Sequence, residues 1–282
     1  RQFIRNRILH ETLDPKILVI GSSRIMQISN DNFKEQVLNL GVGGGSIEDH
    51  IAITAMALEK FNPNMILLGV DPWLFNVQND QYRWESFSKE YQLALENIQL
   101  MNNNNKVLKY YSSNYKYNFY EKFLENFYVF LNKRNLKFDL KSNKIENNQR
   151  DIILRDGKRV YGKKSNKEKI KAKVVEYSMY KYEFSKKNHD IYKKFIKYLV
   201  DVKKKKVVLV LTPYHQSSYE LTIQAKPVYL NLENKFRKIS EETNVQIVGS
   251  YNSLLVSCNE SQFYDITHPN DICMHKITKQ IR

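Results

Sequence analysis

Two short segments far apart in the chain carry residue types suited to nucleophilic chemistry. Gly21-Ser22-Ser23-Arg24 directly follows the apolar run Ile17-Leu18-Val19-Ile20, and Asp265-Ile266-Thr267-His268 lies near the other end. A hydroxyl at the tip of a buried strand, just before a helix, is exposed beside unpaired N–H groups. A carboxylate three residues before an imidazole can fix the tautomer of that base. The segments read as a serine nucleophile, Ser23, a general base, His268, and its orienting acid, Asp265. The competing readings are a helix N-cap for Ser23 and a surface turn for Asp265 and His268.

Other polar residues fall near the same strand ends. His215, in Thr212-Pro213-Tyr214-His215-Gln216, follows an apolar run at the edge where open α/β sheets bind ligands. Arg24 suits a substrate carboxylate or phosphate, with simple pairing on the surface as the alternative. His215, Arg24 and Asp71 are therefore candidates for substrate binding. His10, His50, His189 and His275 show no metal-ligand spacing, and neither a metal nor an organic cofactor is expected. Cys258 and Cys273 are too few for a disulfide framework, but they flank the Asp265/His268 segment. A bridge between them would clamp that loop in an oxidising compartment.

The elements that must position these groups follow from hydrophobic patterning. Strands are expected at 17–20, 37–40, 65–70, 207–211 and 245–248, with helices at 47–61, 229–243 and from about 271. Alternation of strand and helix implies a parallel sheet wrapped by helices. Between 78 and 205 the sequence turns Lys-, Asn- and aromatic-rich, lacks proline and reads as mainly helical. Asn102 to Asn105 mark a break there, Phe123, Phe127 and Phe130 form a core-type helical stripe, and Asp156-Gly157 is a hairpin turn. The simplest organisation is one domain over 1–282, with core segments 14–77 and 206–282 and an insertion at 78–205.

These blocks resemble the SGNH, or GDSL-like, hydrolase superfamily. The first appears in its GSSR form, as in branches acting on surface polysaccharides, with Ser22 where Asp is usual. Asn39-Leu40-Gly41-Val42-Gly43-Gly44-Gly45-Ser46 matches the second, and Asp265-Ile266-Thr267-His268-Pro269-Asn270 the last. The resemblance implies a flavodoxin-like three-layer α/β sandwich and an oxyanion hole built from backbone N–H groups at Ser23 and Gly44, Gly43 being the alternative to Gly44. The third block departs from the pattern: Gly69-Val70-Asp71-Pro72-Trp73 has Asp71 where an oxyanion Asn belongs, and an ionised Asp only accepts hydrogen bonds. Asn76 is the nearby side chain that could complete the hole. The Gly-x-Asp-Pro-Trp segment is similar to a set of membrane-anchored SGNH-like proteins.

The resemblance implies a serine esterase or O-acyltransferase moving an acyl group, acetyl above all, of a cell-surface polysaccharide. The rival expectation is a non-catalytic module binding anionic glycan or protein partners in the cell envelope. Either would work on the periplasmic or extracellular side, with an anchor upstream of Arg1.

Composition agrees with a folded chain: 282 residues, 42% hydrophobic, with a net charge of +15. That charge favours an anionic partner or plain solubility. Lysines at 163, 164, 167, 169, 171, 173 and 203–206 lie among Tyr177, Tyr180, Tyr182, Tyr192 and Tyr198, a mixture also found in nucleic-acid binders. No nucleic-acid motif accompanies them, so a solvated face or an anionic surface is the better expectation. No apolar run approaches the roughly 18 residues of a bilayer span, and Arg1, Arg5 and Arg7 could form a membrane-proximal flank.

Overall fold

The computed structural model describes residues 1–77, 81–100, 151–162 and 181–282. Five strands form a parallel sheet: β1 (Ile17–Ile20), β2 (Val37–Asn39), β3 (Met65–Gly69), β6 (Lys206–Leu211) and β7 (Gln246–Gly249), in the order β2-β1-β3-β6-β7. A two-residue antiparallel pair, β4 (Ile152–Ile153) and β5 (Arg159–Val160), stands apart from it. The helices are α1 (Gln2–His10), α2 (Ile47–Lys60), α3 (Ser88–Leu100), α4 (Lys186–Lys197), α5 (Gln216–Ala225), α6 (Val228–Thr243) and α7 (Asp271–Thr278).

The strands read as unbroken apolar runs because both faces of the sheet are covered. Leu18, Ile20, Leu38, Ile66, Leu68, Leu209 and Leu211 enter one core with residues of α1, α2, α3, α4 and α6. Alternate residues, Ile17, Val19, Val37, Leu67, Val208 and Val210, enter a second core with Cys273, Met274 and Ile277 of α7. The fold is thus the expected α/β three-layer arrangement. A strand order of 2-1-3 followed by two further parallel strands reverses direction between β1 and β3, and open sheets bind ligands outside that crevice.

The strands and the hairpin lie within a residue or so of the positions expected from sequence. One local expectation is corrected. A 3₁₀ turn, Ser23–Ile25, follows β1 where a helix was expected. The segment containing Arg1, Arg5 and Arg7 begins a docked helix, with Ile4 and Ile8 one turn apart in the core. Its arginines pair with protein carboxylates, Arg1 with Asp49 at 2.5 Å and Arg5 with Glu90 at 2.6 Å.

Of the insertion, α3, the β4–β5 hairpin and α4 are described. Asn102 to Asn105, the stripe Phe123, Phe127 and Phe130, the lysines from 163 to 173, Tyr177 and Tyr180 lie outside the described residues. Tyr192 is fully buried with its hydroxyl 3.1 Å from His50 Nδ1, so it offers no stacking face to a nucleic acid. Lys203 to Lys206 sit at the N-terminal end of β6, the edge opposite the strand tips. Among the described residues no helix is long and apolar enough to cross a membrane.

Candidate active site

Ser22, extended and fully buried, caps the 3₁₀ turn by accepting the Arg24 N–H on its hydroxyl at 3.1 Å. The capping role thus belongs to Ser22, which leaves the partly exposed Ser23 hydroxyl for another partner. That partner is His268: Ser23 Oγ lies 2.9 Å from His268 Nε2. On the other side of the ring, Nδ1 is 2.7 Å from Asp265 Oδ2 and 2.9 Å from Oδ1. The carboxylate also accepts the backbone N–H groups of Thr267 and His268, each at 2.8 Å. Burial works to raise the Asp265 pKa, but the His268 hydrogen bond and charge and the two N–H donors outweigh it and hold it well below the usual carboxylate value. Asp265 is therefore ionised at neutral pH, and the proton on His268 is directed to Nδ1, leaving Nε2 to accept from serine.

The loop bearing these residues is closed on itself. Phe263 and Pro269 form an antiparallel bridge, and the Tyr264 N–H donates to the His268 carbonyl at 2.9 Å. Cys258 and Cys273, both buried, are disulfide-bonded across a separation of 15 residues that contains the loop. Closing a loop of that length stabilises by about 3 kcal/mol. Replacing both cysteines by serine is expected to lower Tm by roughly 6 to 10 °C, read by thermal denaturation beside the unreduced protein; an unchanged Tm would mean that the bond contributes nothing.

Arg24 and Asp71 are placed differently from the sequence expectation. Their side chains are nearly inaccessible and pair with each other at 2.8 Å. Arg24 also donates from Nε to the Thr267 carbonyl at 3.0 Å, and from Nη2 to the carbonyls of Thr212 and Pro213, with Tyr214 3.7 Å beneath the guanidinium. This corrects their assignment to substrate binding: the pair joins the loops after β1, β3 and β6 to the loop that carries His268. His215 is also buried. Its N–H donates to the Ile266 carbonyl at 3.0 Å and its Nδ1 is 2.8 Å from Ser217 Oγ, so it braces the loop from below. Burial lowers its pKa and keeps the ring neutral.

The glycine loop after β2 runs alongside the nucleophile, joined by a bridge between Ser22 and Val42. A Cβ on Gly45 would lie 2.9 Å from the Gly21 carbonyl oxygen, so only glycine allows this approach. Three successive carbonyls are held from outside. Arg1 Nη1 donates to Gly43 O at 2.9 Å, Gln81 Nε2 to Gly44 O at 3.1 Å, and the Trp73 indole to Gly45 O at 2.9 Å. In a trans peptide the N–H opposes the C=O, so fixing the Gly43 carbonyl aims the Gly44 N–H the other way. That N–H donates to none of the described residues. Asn76, the side chain named as able to complete the hole, lies where the insertion meets the core, bridged to Phe184. It is buried, and its Oδ1 accepts the Glu183 N–H at 3.0 Å in the join between insertion and core.

Sequence reasoning missed the insertion's contribution. The β4–β5 hairpin docks on the core through Asn39 N–H to Asp156 O at 2.7 Å and Arg159 N–H to Met26 O at 2.9 Å. It delivers Tyr161, which packs on Tyr264 with ring centroids 4.2 Å apart and lies 5.9 Å from the His268 ring. Gln81 and Arg83, from the other end of the insertion, reach the glycine loop. Nothing in the local sequence marks these residues, because each contact joins distant segments. Among the described residues no group of three or more His, Cys, Asp or Glu could hold a metal ion. No family model matches the chain, and no curated protein matches it.

Proposed function

We propose that the protein is a serine esterase or O-acyltransferase that removes or moves an acyl group, most simply acetyl, of a cell-surface polysaccharide or related glycan. The observation carrying this reading is the unbroken relay Ser23 Oγ–His268 Nε2, His268 Nδ1–Asp265, with the serine partly exposed at the sheet's ligand-binding edge. Ser23 Oγ attacks the acyl carbonyl as His268 takes its proton. The tetrahedral oxyanion is held by backbone N–H groups, at Gly44 and in the Ser23 turn. Collapse returns the proton to the leaving alcohol and leaves an acyl-serine. His268 then deprotonates water or a sugar hydroxyl, which takes the acyl group and regenerates Ser23. The polysaccharide and the acetyl group rest on the sequence resemblance to SGNH hydrolases. A disulfide that clamps the catalytic loop supports a setting outside the reducing cytoplasm, such as the cell envelope.

The second reading, a non-catalytic envelope module binding anionic glycan or protein, is favoured by one feature: the buried Asp71 stands where the resemblance calls for an oxyanion Asn. Intact-mass measurement after exposure to a fluorophosphonate separates the two. One adduct, formed with loss of fluoride and absent from Ser23→Ala, is the expected result. A folded protein that forms no adduct would overturn the enzymatic reading in favour of the binding module.

A further inference from the structure

The Gly43-Gly44 turn carries a guanidinium on its surface. Gly44 has φ +56°, and a Cβ there would lie 2.5 Å from Arg83 Nη2. A Cβ on Gly43 would lie 3.8 Å from Arg83 Nη1. The turn thus lets Arg83 settle against the peptide whose N–H is the candidate oxyanion donor. Arg83 is exposed and held at its base, with its backbone N–H donating to Gln81 Oε1 at 2.5 Å and Nε to the same oxygen at 3.3 Å. Its two terminal nitrogens donate to none of the described residues, and no described carboxylate pairs with it. Arg1, Arg5, Arg24, Arg159 and Arg237 are each paired with one. Gln81 also donates to Gly44 O and to Asp49, so the arginine and the oxyanion loop share one support.

We propose that Arg83 binds an anionic group, a carboxylate or phosphate, on the molecule that carries the ester, so that the site acts on negatively charged acylated substrates. The inference rests on the esterase or acyltransferase reading and deepens it. A planar fork of N–H donors with no acid partner among the described residues matches an oxyacid in two-point contact. Placed against Gly44 of the candidate oxyanion loop, it would meet a substituent on the ester-bearing molecule, where charge can be read without contact to the acyl group. The +15 net charge of the chain steers the same class of molecule toward the protein.

The test compares phenol release from three acetyl esters: that of 4-hydroxybenzoate, that of its uncharged methyl ester, and that of 4-hydroxyphenyl phosphate. The quantity read is the kcat/KM ratio of each charged ester to the neutral one, which cancels differences common to every variant. Arg83→Gln is expected to lower the ratio by about tenfold, and Arg83→Glu to lower it further. Lys238→Gln, on the far half of α6, removes the same unit of charge and should leave the ratio as it was. Which charged ester is lost more distinguishes carboxylate from phosphate. An unchanged ratio in Arg83→Gln overturns the proposal, as does an equal fall for all three esters, which would mean that Arg83 serves the oxyanion they share. Failure to cleave any ester, together with an unlabelled Ser23, would overturn the enzymatic reading and this inference with it.

Discussion

Asp265→Asn is expected to slow acylation of Ser23 by about 10⁴-fold at neutral pH while leaving the protein folded. The acid accepts from His268 Nδ1, from two backbone N–H groups and from the Thr267 hydroxyl at 3.0 Å. Asparagine can keep the backbone bonds with its oxygen, but its NH₂ then faces Nδ1 and stabilises the tautomer that places the proton on Nε2. In that form the imidazole cannot accept from serine. The developing imidazolium also loses its counter-charge. The acid's depressed pKa carries a sign: the stability linked to its ionised form is fully present above its ordinary value of about 4 and is lost only as pH falls through the lower folded value. Loss of activity above that range would therefore not arise from Asp265. The measurement is the labelling rate with a fluorophosphonate beside ester turnover. A fall of less than tenfold would mean that the Thr267 hydroxyl, 3.0 Å from Nδ1, orients His268 without the acid.

Breaking the Arg24–Asp71 pair should produce the largest loss of stability. Asp71→Ala leaves a guanidinium buried without its carboxylate, at a cost of about 3 to 5 kcal/mol, or a Tm lowered by roughly 6 to 15 °C. Arg24→Met strands Asp71 and withdraws donors from the carbonyls of Thr212, Pro213 and Thr267. Because Thr267 neighbours His268, that variant should label more slowly at Ser23 as well as melt earlier. The double variant Arg24→Met/Asp71→Leu is expected to be more stable than the sum of the single losses, since neither charge is then left alone. Additive losses in thermal denaturation would show that the two side chains do not act as a unit.

The sheet was legible because parallel strands covered on both faces leave contiguous apolar runs such as Ile17 to Ile20 and Val207 to Leu211. The relay was legible because Asp265 and His268 are neighbours in sequence and Ser23 lies at a strand tip. Where partners are distant, composition is silent. Arg24 and Asp71 are conspicuous residues near a strand end, and nothing in their spacing distinguishes a buried brace from a substrate contact. Arg83 and Tyr161 belong to an insertion whose bulk reads as separate from the core, and only the docked chain shows them at the glycine loop and beside His268. Helix α1 escaped because it offers two fully buried aliphatics, Ile4 and Ile8, in a charged background.

The pairing of β3 with β6 spans the whole insertion, from Gly69 to Lys206. Drawing together the ends of so long a connection costs roughly 4 kcal/mol of chain entropy, while β1–β2 and β1–β3 form between near neighbours. Non-local parallel contacts of this kind slow folding. During synthesis the Ser23 strand emerges first, and His268 follows only after β6 and β7 have left the ribosome. The Ser23 hydroxyl therefore has no imidazole partner until the last part of the sheet has closed, and under the enzymatic reading assembly itself would delay the chemistry.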